Sequence, residues 1–350
     1  MSDDVLFSQE QHIGFITLNR AKALNALTLP MILALQEQLS AWLQDASIHA
    51  VVIKAAEGKA FCAGGDVRWL YEKGLAKDAI QMDFFWHEYR LNHFIHSFSK
   101  PYIALMDGIT MGGGVGVSLH GSHRVASGNF SCAMPETAIG FFPDIGASHL
   151  LSRCPDEYGT YLALTGQRIK ADDAQLLGLV EYNVASDDID EIIAELVATN
   201  IGDNPHQQVD YILKKYSRQL ETFESNEKLG LVKDTFQHAT LKDIYAHLRS
   251  INSQEAQVIL SQLEGKAPLS LCVTLLQMKK AATMVLKGCL DMDFNLVNHF
   301  MLGHDFYEGV RALLVDKDKS PQWDPATLDV VSDEQVLAYF EATSRGLGLD

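Results

Sequence analysis

Apolar residues follow two rhythms over the first 200 residues: short continuous runs, and longer stretches spaced by three and four. Ile13–Leu18 is a run rich in β-branched and aromatic side chains, which predicts a strand. Val51–Lys54 and Tyr102–Met106 predict two more, the former apolar enough to be buried on both faces. Met31, Ile32, Leu35, Leu39, Trp42 and Leu43 recur at helical spacing behind Thr28, a cap residue, and Pro30, which suits a first turn. A glycine loop, Cys62–Asp66, leads into a helical stretch from Val67 to about Lys73. An amphipathic stretch covers about Asp78 to Ser97, and a second glycine loop and helix cover Met111–Leu119. Strand, loop and helix repeated in this way predict an α/β core.

Beyond residue 200 the strand rhythm stops. Asn200–Pro205 is a turn cluster. Helical spacing then returns in Gln207–Leu220, Leu241–Asn252, Glu255–Leu263 and Leu269–Leu286, and near Asp333–Thr343 after a polar tail, Asp316–Asp324. The expected organisation is therefore a core over residues 1–203 and a mainly helical region over 204–350.

Composition narrows the function. With 47% hydrophobic and 21% charged residues, the chain of 350 has ordinary globular content. Its 28 basic and 45 acidic residues give a net charge of −17, which repels nucleic-acid backbones and anionic membranes. A small anionic ligand is still accommodated, because local cations outweigh a distant field. No apolar run approaches the ~20 residues of a membrane span. The five cysteines (Cys62, Cys132, Cys154, Cys272 and Cys289) form no C-x-x-C pair, and the thirteen histidines no H-E-x-x-H, so neither a disulfide framework nor a metal site is expected. The first residues carry no signal-peptide pattern, and the expectation is a soluble protein of a reducing compartment, the cytoplasm.

Three segments carry chemistry. In Ala60-Phe61-Cys62-Ala63-Gly64-Gly65-Asp66, adjacent glycines precede a helix whose first N–H groups have no intrahelical partner and whose dipole favours a negative guest. A tight turn with Asp66 as cap explains the same residues. In Asp107–Gly116, three consecutive glycines, Gly112 to Gly114, let backbone approach a ligand closely. The spacing fits neither the dinucleotide fingerprint nor a P-loop. Two such segments offer the convergent N–H donors that a thioester oxyanion requires. The third segment, Ala133–Gly146, sets Glu136 and Asp144 in an apolar stretch, where burial and mutual repulsion raise carboxyl pKa values into the range of general acid–base work. Helix capping by either residue is the alternative.

The order and spacing of A-F-C-A-G-G-D, G-I-T-M-G-G-G-V-G and M-P-E-T-A-I-G-F-F-P-D-I-G resemble the crotonase (enoyl-CoA hydratase/isomerase) superfamily. Within it they are similar to the branch that hydrolyses short 3-hydroxyacyl-CoA thioesters, a likeness continued in the tail by His304–Ala312 and Asp316-Lys317-Asp318. The resemblance implies a core of repeated strand-strand-helix units and a free-standing substrate, with CoA part of that substrate and no cofactor. It implies oxyanion donors at Gly65 and Gly113, catalytic carboxylates at Glu136 and Asp144, and Glu88, in Glu88-Tyr89-Arg90-Leu91-Asn92, lining the substrate pocket. Relatives with this fold are commonly trimers or hexamers, so a homo-oligomer is expected. Arg20 and Lys22 are candidates for the CoA phosphates, or simply solvated charge.

One departure matters. Hydratases carry a glutamate two residues after the glycine triplet, and here that position is Gly116. Glycine transfers no proton, which favours hydrolysis over hydration. The rival functions are hydratase or isomerase activity and non-catalytic acyl-CoA binding. Ser118 and His120 do not form a nucleophile elbow and read as packing residues, and Cys62 as a small buried thiol.

Overall fold

The structure, a computed structural model, describes residues 3–218, 226–342 and 345–349. In chain order the strands are β1 (Val5–Glu10), β2 (Ile13–Leu18), β3 (Ala50–Ala55), β4 (Ala60–Cys62), β5 (Tyr102–Met106), β6 (Ile109–Met111), β7 (His123–Ser127), β8 (Ser131–Ala133) and β9 (Tyr182–Val184). The helices of the first half are α1 (Leu29–Gln44), α2 (Val67–Leu75), α3 (Ile80–His96), α4 (Gly113–Gly116), α5 (Ala147–Leu151), α6 (Tyr158–Thr165), α7 (Ala171–Leu176) and α8 (Ile189–Ala198). Those that follow are α9 (Pro205–Tyr216), α10 (Asn226–Phe236), α11 (Leu241–Ser250), α12 (Gln254–Glu264), α13 (Pro268–Ala281), α14 (Leu286–Leu302), α15 (Asp305–Val310) and α16 (Asp333–Ala338). Contacts divide the chain into two units, one of residues 1–65, 87–132 and 169–222, the other of 66–86, 133–168 and 223–350.

The first unit is built on a six-stranded sheet in the order β1-β2-β3-β5-β7-β9. β1 pairs antiparallel with β2, and every other neighbour is parallel. Alternate residues, Ile13 and Phe15, Ala50 and Val52, Ile103 and Leu105, Tyr182 and Val184, form one face, as the period of two requires. That face is covered by Ile192 and Leu196 of α8 and by Val209, Ile212 and Leu213 of α9. Each such large apolar side chain contributes roughly 1.5–3 kcal/mol on full burial. Trp42 of α1 presses so closely on β2 that a Cβ at Gly14 would stand 2.9 Å from its ring. α1 begins as expected, with the Thr28 side chain accepting from the Met31 N–H and a proline in the first turn.

A second sheet of three short strands, in the order β4-β6-β8, carries the glycine segments. β4 and β6 pair in parallel, so their C-terminal ends, and the loops that follow, lie side by side.

The second unit is helical. All eight residues of α6 are buried, and α5, α10, α12 and α13 pack around it. A Cβ at Gly159 would overlap the Leu151 carbonyl, which brings the end of α5 onto α6.

The α/β core and the helical C-terminal part agree with the sequence pattern, and among the described residues no strand follows β9. Several helices end before, or break within, their expected spans. The one after the glycine triplet stops at Gly116 rather than Leu119, where the Ser118 hydroxyl donates to Gly114 O at 2.6 Å and Tyr102 Oη to Val117 O at 2.9 Å. Leu269–Leu286 is not one helix: α13 ends at Ala281, and Val285 is the extended cap from which α14 starts. α9 and α16 end at Tyr216 and Ala338, short of the expected Leu220 and Thr343, which themselves lie outside the described residues.

Candidate active site

The first unit brings together the glycine segments and Glu88. Gly64 adopts φ 115°, open to glycine and strained for other residues, and a Cβ there would lie 3.4 Å from Met111 O and 3.8 Å from Gly113 N. Gly113 is the first residue of α4, so its N–H points out of the helix start. A Cβ on Gly113 would lie 3.3 Å from the Gly65 nitrogen and would run into Glu88 Oε1. A Cβ on Gly114 would overlap the Cys62 carbonyl. The triplet is thus glycine for three reasons: a φ of 47° at Gly112, the close approach of Glu88 and Gly65 at Gly113, and β4 packing at Gly114.

The loop before α1 secures this arrangement. Leu27 N–H donates to Gly64 O at 2.8 Å, and the buried Asn25 side chain donates to Ala60 O and Phe61 O at 2.9 and 3.1 Å. Asn25 was not picked out from the sequence; its role needs partners 35 and 36 residues away. Arg20 lies on the same loop, half-buried, with Nη1 donating to Ala26 O at 3.1 Å, and Lys22 is exposed. Cys62 is buried with Sγ against Gly64 O at 3.7 Å, and burial pushes its thiol pKa up to about 12, so it is no thiolate nucleophile at neutral pH. Ser118 is equally buried and spends its hydroxyl on Gly114 O.

The second unit holds the two carboxylates. Glu136 opens a 3-10 turn, Glu136–Ile139. Thr137 fixes the turn through its hydroxyl to Leu164 O at 3.1 Å and its carbonyl, which accepts from Ala267 N at 3.2 Å. On the other side a Cβ at Gly309 would lie within 2.6 Å of Ile139 Cα, so α15 packs directly on the turn. Glu136 is 8% exposed, and its Oε2 is buried without a hydrogen-bond partner among the described residues. Burial first, and the Asp144 charge second, hold its pKa well above the ordinary carboxylate range, against a smaller opposing pull from Lys266.

Asp144 is 6% exposed and is not the cap residue of α5, which is Gly146; the Asp144 backbone carbonyl accepts from Ala147 N at 2.9 Å. Its flanks are clamped. Gln277 Nε2 donates to Pro143 O at 2.9 Å and to Asp293 Oδ1 at 2.7 Å, and Asp293 Oδ2 accepts from Gly146 N at 2.8 Å. Burial raises the Asp293 pKa strongly, with the Asp144 charge adding to it. Gln277 and Asp293 were missed in the sequence, though each is a polar residue on an apolar helix stripe, Asp293 between Cys289, Leu290, Leu296 and Val297. In the tail singled out for its motif, Arg311 pairs with Glu308, Asp316 and Asp318 at 2.8, 2.7 and 2.6 Å, and Asp305 accepts from Asp324 N at 2.8 Å.

A parallel-strand sheet with paired glycine loops after β4 and β6, and a buried carboxylate turn after β8, defines the class. The chain belongs to the enoyl-CoA hydratase/isomerase family, whose model matches residues 13–340. It is 45% identical over 336 residues to a mitochondrial 3-hydroxyisobutyryl-CoA hydrolase of Xenopus tropicalis, covering 95% of this chain and 87% of that one. The human protein of that name is 40% identical over 346 residues, covering 97% and 89%. Among solved structures, a carnitinyl-CoA dehydratase from Mycobacterium thermoresistibile superposes with a TM-score of 0.92 at 36% identity, covering 99% of this chain and 98% of the other.

These relatives correct one expectation. The cytoplasmic placement drawn from composition is overturned by relatives that are mitochondrial proteins. Unpaired cysteines report the redox state of a compartment, not its address.

Proposed function

We propose that the chain hydrolyses a short 3-hydroxyacyl-CoA thioester, 3-hydroxyisobutyryl-CoA or a close analogue, to the free acid and CoA. The observation that carries the reading is Glu136, a buried carboxylate with a raised pKa and an unpaired oxygen, combined with Gly116 where a hydratase has its second glutamate. The names of the hydrolase relatives support it. The thioester carbonyl accepts from the N–H groups of Gly65 and Gly113, which stabilise the oxyanion. Glu136 takes a proton from water as its oxygen bonds to the carbonyl carbon; the C–S bond then breaks and the CoA thiolate leaves with that proton. Direct attack by Glu136, giving a mixed anhydride that water hydrolyses, uses the same groups. Label found in Glu136 after a single turnover in ¹⁸O-water identifies the anhydride route, with water attacking the glutamyl carbonyl, because direct hydrolysis puts the label in the product acid alone. Asp144 keeps the Glu136 pKa high and shares its proton, Glu88 lines the acyl pocket, and Arg20 and Lys22 meet CoA phosphates.

The substrate places the enzyme in valine breakdown, working as a homo-oligomer of three or six chains, with no cofactor beyond the substrate's own CoA. Thiol release from 3-hydroxyisobutyryl-CoA, beside hydration of crotonyl-CoA, tests the reaction. Glu136→Gln and Asp144→Asn are each expected to lower kcat by about 10²–10⁴. Undiminished thiol release in both variants would exclude the chemistry.

A further inference from the structure

Asn92 is fully buried, and neither its Oδ1 nor its Nδ2 has a hydrogen-bond partner among the described residues. A primary amide offers two donors and two acceptor sites, and native proteins leave such a group unpaired inside where something else completes it. Its position indicates what. Asn92 lies one turn beyond Glu88 on α3, so the two side chains share a helix face. Glu88 reaches Gly113 at the start of α4; Asn92 reaches Gly116 at its end, where a Cβ would stand 2.7 Å from Nδ2 and 3.1 Å from Oδ1. Three helical residues separate these points by roughly 4.5 Å. On an acyl chain whose carbonyl is held at Gly113, a hydroxyl on C3 lies roughly 3–4 Å from the carbonyl carbon, across two C–C bonds and one C–O bond of ~1.5 Å each at tetrahedral angles, a reach of the same order.

We infer that Asn92 recognises the hydroxyl of the acyl chain, Oδ1 accepting its O–H and Nδ2 donating to its oxygen. A hydroxyl is at once donor and acceptor, which matches both halves of the amide; a methyl group satisfies neither. Gly116 makes room for this contact, since any side chain there would displace the amide. The deoxy acyl-CoA is rejected because it leaves the amide unpaired, the form of selectivity that buried polar groups provide most strongly. The inference rests on the thioester reading above and adds the substrate feature the enzyme selects.

The test uses hydrolysis-resistant CoA analogues with a methylene between sulfur and carbonyl, one carrying the 3-hydroxyisobutyryl chain and one the isobutyryl chain. Calorimetric titration of the full-length protein is expected to show the hydroxy analogue binding about 30-fold tighter. In Asn92→Leu the ratio should fall below about threefold through loss of the hydroxy ligand alone; Asn92→Ala gives the same readout should the leucine variant not fold. A wild-type ratio near one, or an unchanged ratio in a folded variant, overturns the inference and assigns the amide to bound water. Thiol release is scored separately. Discriminating binding without hydrolysis defeats the hydrolase reading alone, and hydrolysis with an unchanged ratio defeats the Asn92 inference alone.

Discussion

Replacing Gln277 by leucine removes the tie between α13 and the Pro143 carbonyl, the peptide group immediately before Asp144. Two hydrogen bonds go, one to a backbone carbonyl at 2.9 Å and one to a buried carboxyl at 2.7 Å. A neutral bond is worth about 0.5–1.5 kcal/mol and one to a charged group about 1.5–3 kcal/mol, so the loss is about 2–4 kcal/mol. Leucine fills most of the volume, so little cavity cost is added. At roughly 2.1 cal/mol/K per residue the unfolding entropy of a chain this long is about 0.7 kcal/mol/K, and the melting temperature should fall by about 3–5 °C. The catalytic effect is separate. A clamp released by about 1 Å costs on the order of 10² in rate, so kcat for thiol release should fall 10- to 100-fold with KM nearly constant. Asp293→Asn keeps one acceptor for two donors, Gly146 N–H and Gln277 Nε2, and should share the defect. Combined with Gln277→Leu it should lose about 0.5–3 kcal/mol less than the sum of the single changes, because both act on one network. Wild-type kcat in a destabilised Gln277→Leu enzyme, or strict additivity of the pair, would refute the clamp and leave α13 as packing alone.

The pH profile carries a second prediction. In the proposed chemistry Glu136 acts in its ionised form, and burial with the Asp144 charge raises its pKa, so the acid limb of kcat/KM should lie above the ordinary carboxylate range. In Asp144→Asn the second cause disappears and the limb should move to lower pH; an unmoved limb means Asp144 does not tune Glu136. Stability follows the same linkage. A carboxyl whose folded pKa is raised contributes stability below its unfolded pKa and loses it as pH rises through the folded value, so Glu136→Gln should melt higher than wild type at pH 8 and converge with it near pH 4. Cys62 gives the third: with its thiol pushed up to about 12, iodoacetamide at pH 8 should leave it unlabelled and Cys62→Ala should keep thiol release. Activity lost on that change with the fold intact would restore it as nucleophile.

Legibility in this sequence tracked how local each feature's cause is. β2 and β5 could be read to the residue because buried parallel strands need apolar side chains throughout. β1 escaped because it is an edge strand whose second half, Ser8-Gln9-Glu10, faces solvent. β4, β6 and β8 are three residues each, too short for any period, yet the parallel pairing of the first two is what sets Gly65 beside Gly113. The carboxylates Glu136 and Asp144 stood out as charges in an apolar stretch. Asp293 and Gln277 carry the same contrast, but they sit in helices about 130 to 150 residues downstream of what they hold, so only the folded chain shows their purpose. Asn92 is the sharpest case. In sequence it is the last letter of the motif that yields Glu88, polar but unremarked; in the structure its partnerless amide beside Gly116 is what gives the absent glutamate a consequence. A glycine at that position removes a proton carrier and simultaneously admits an amide, so the change that argues against hydration also supplies the means to select a hydroxylated acyl chain.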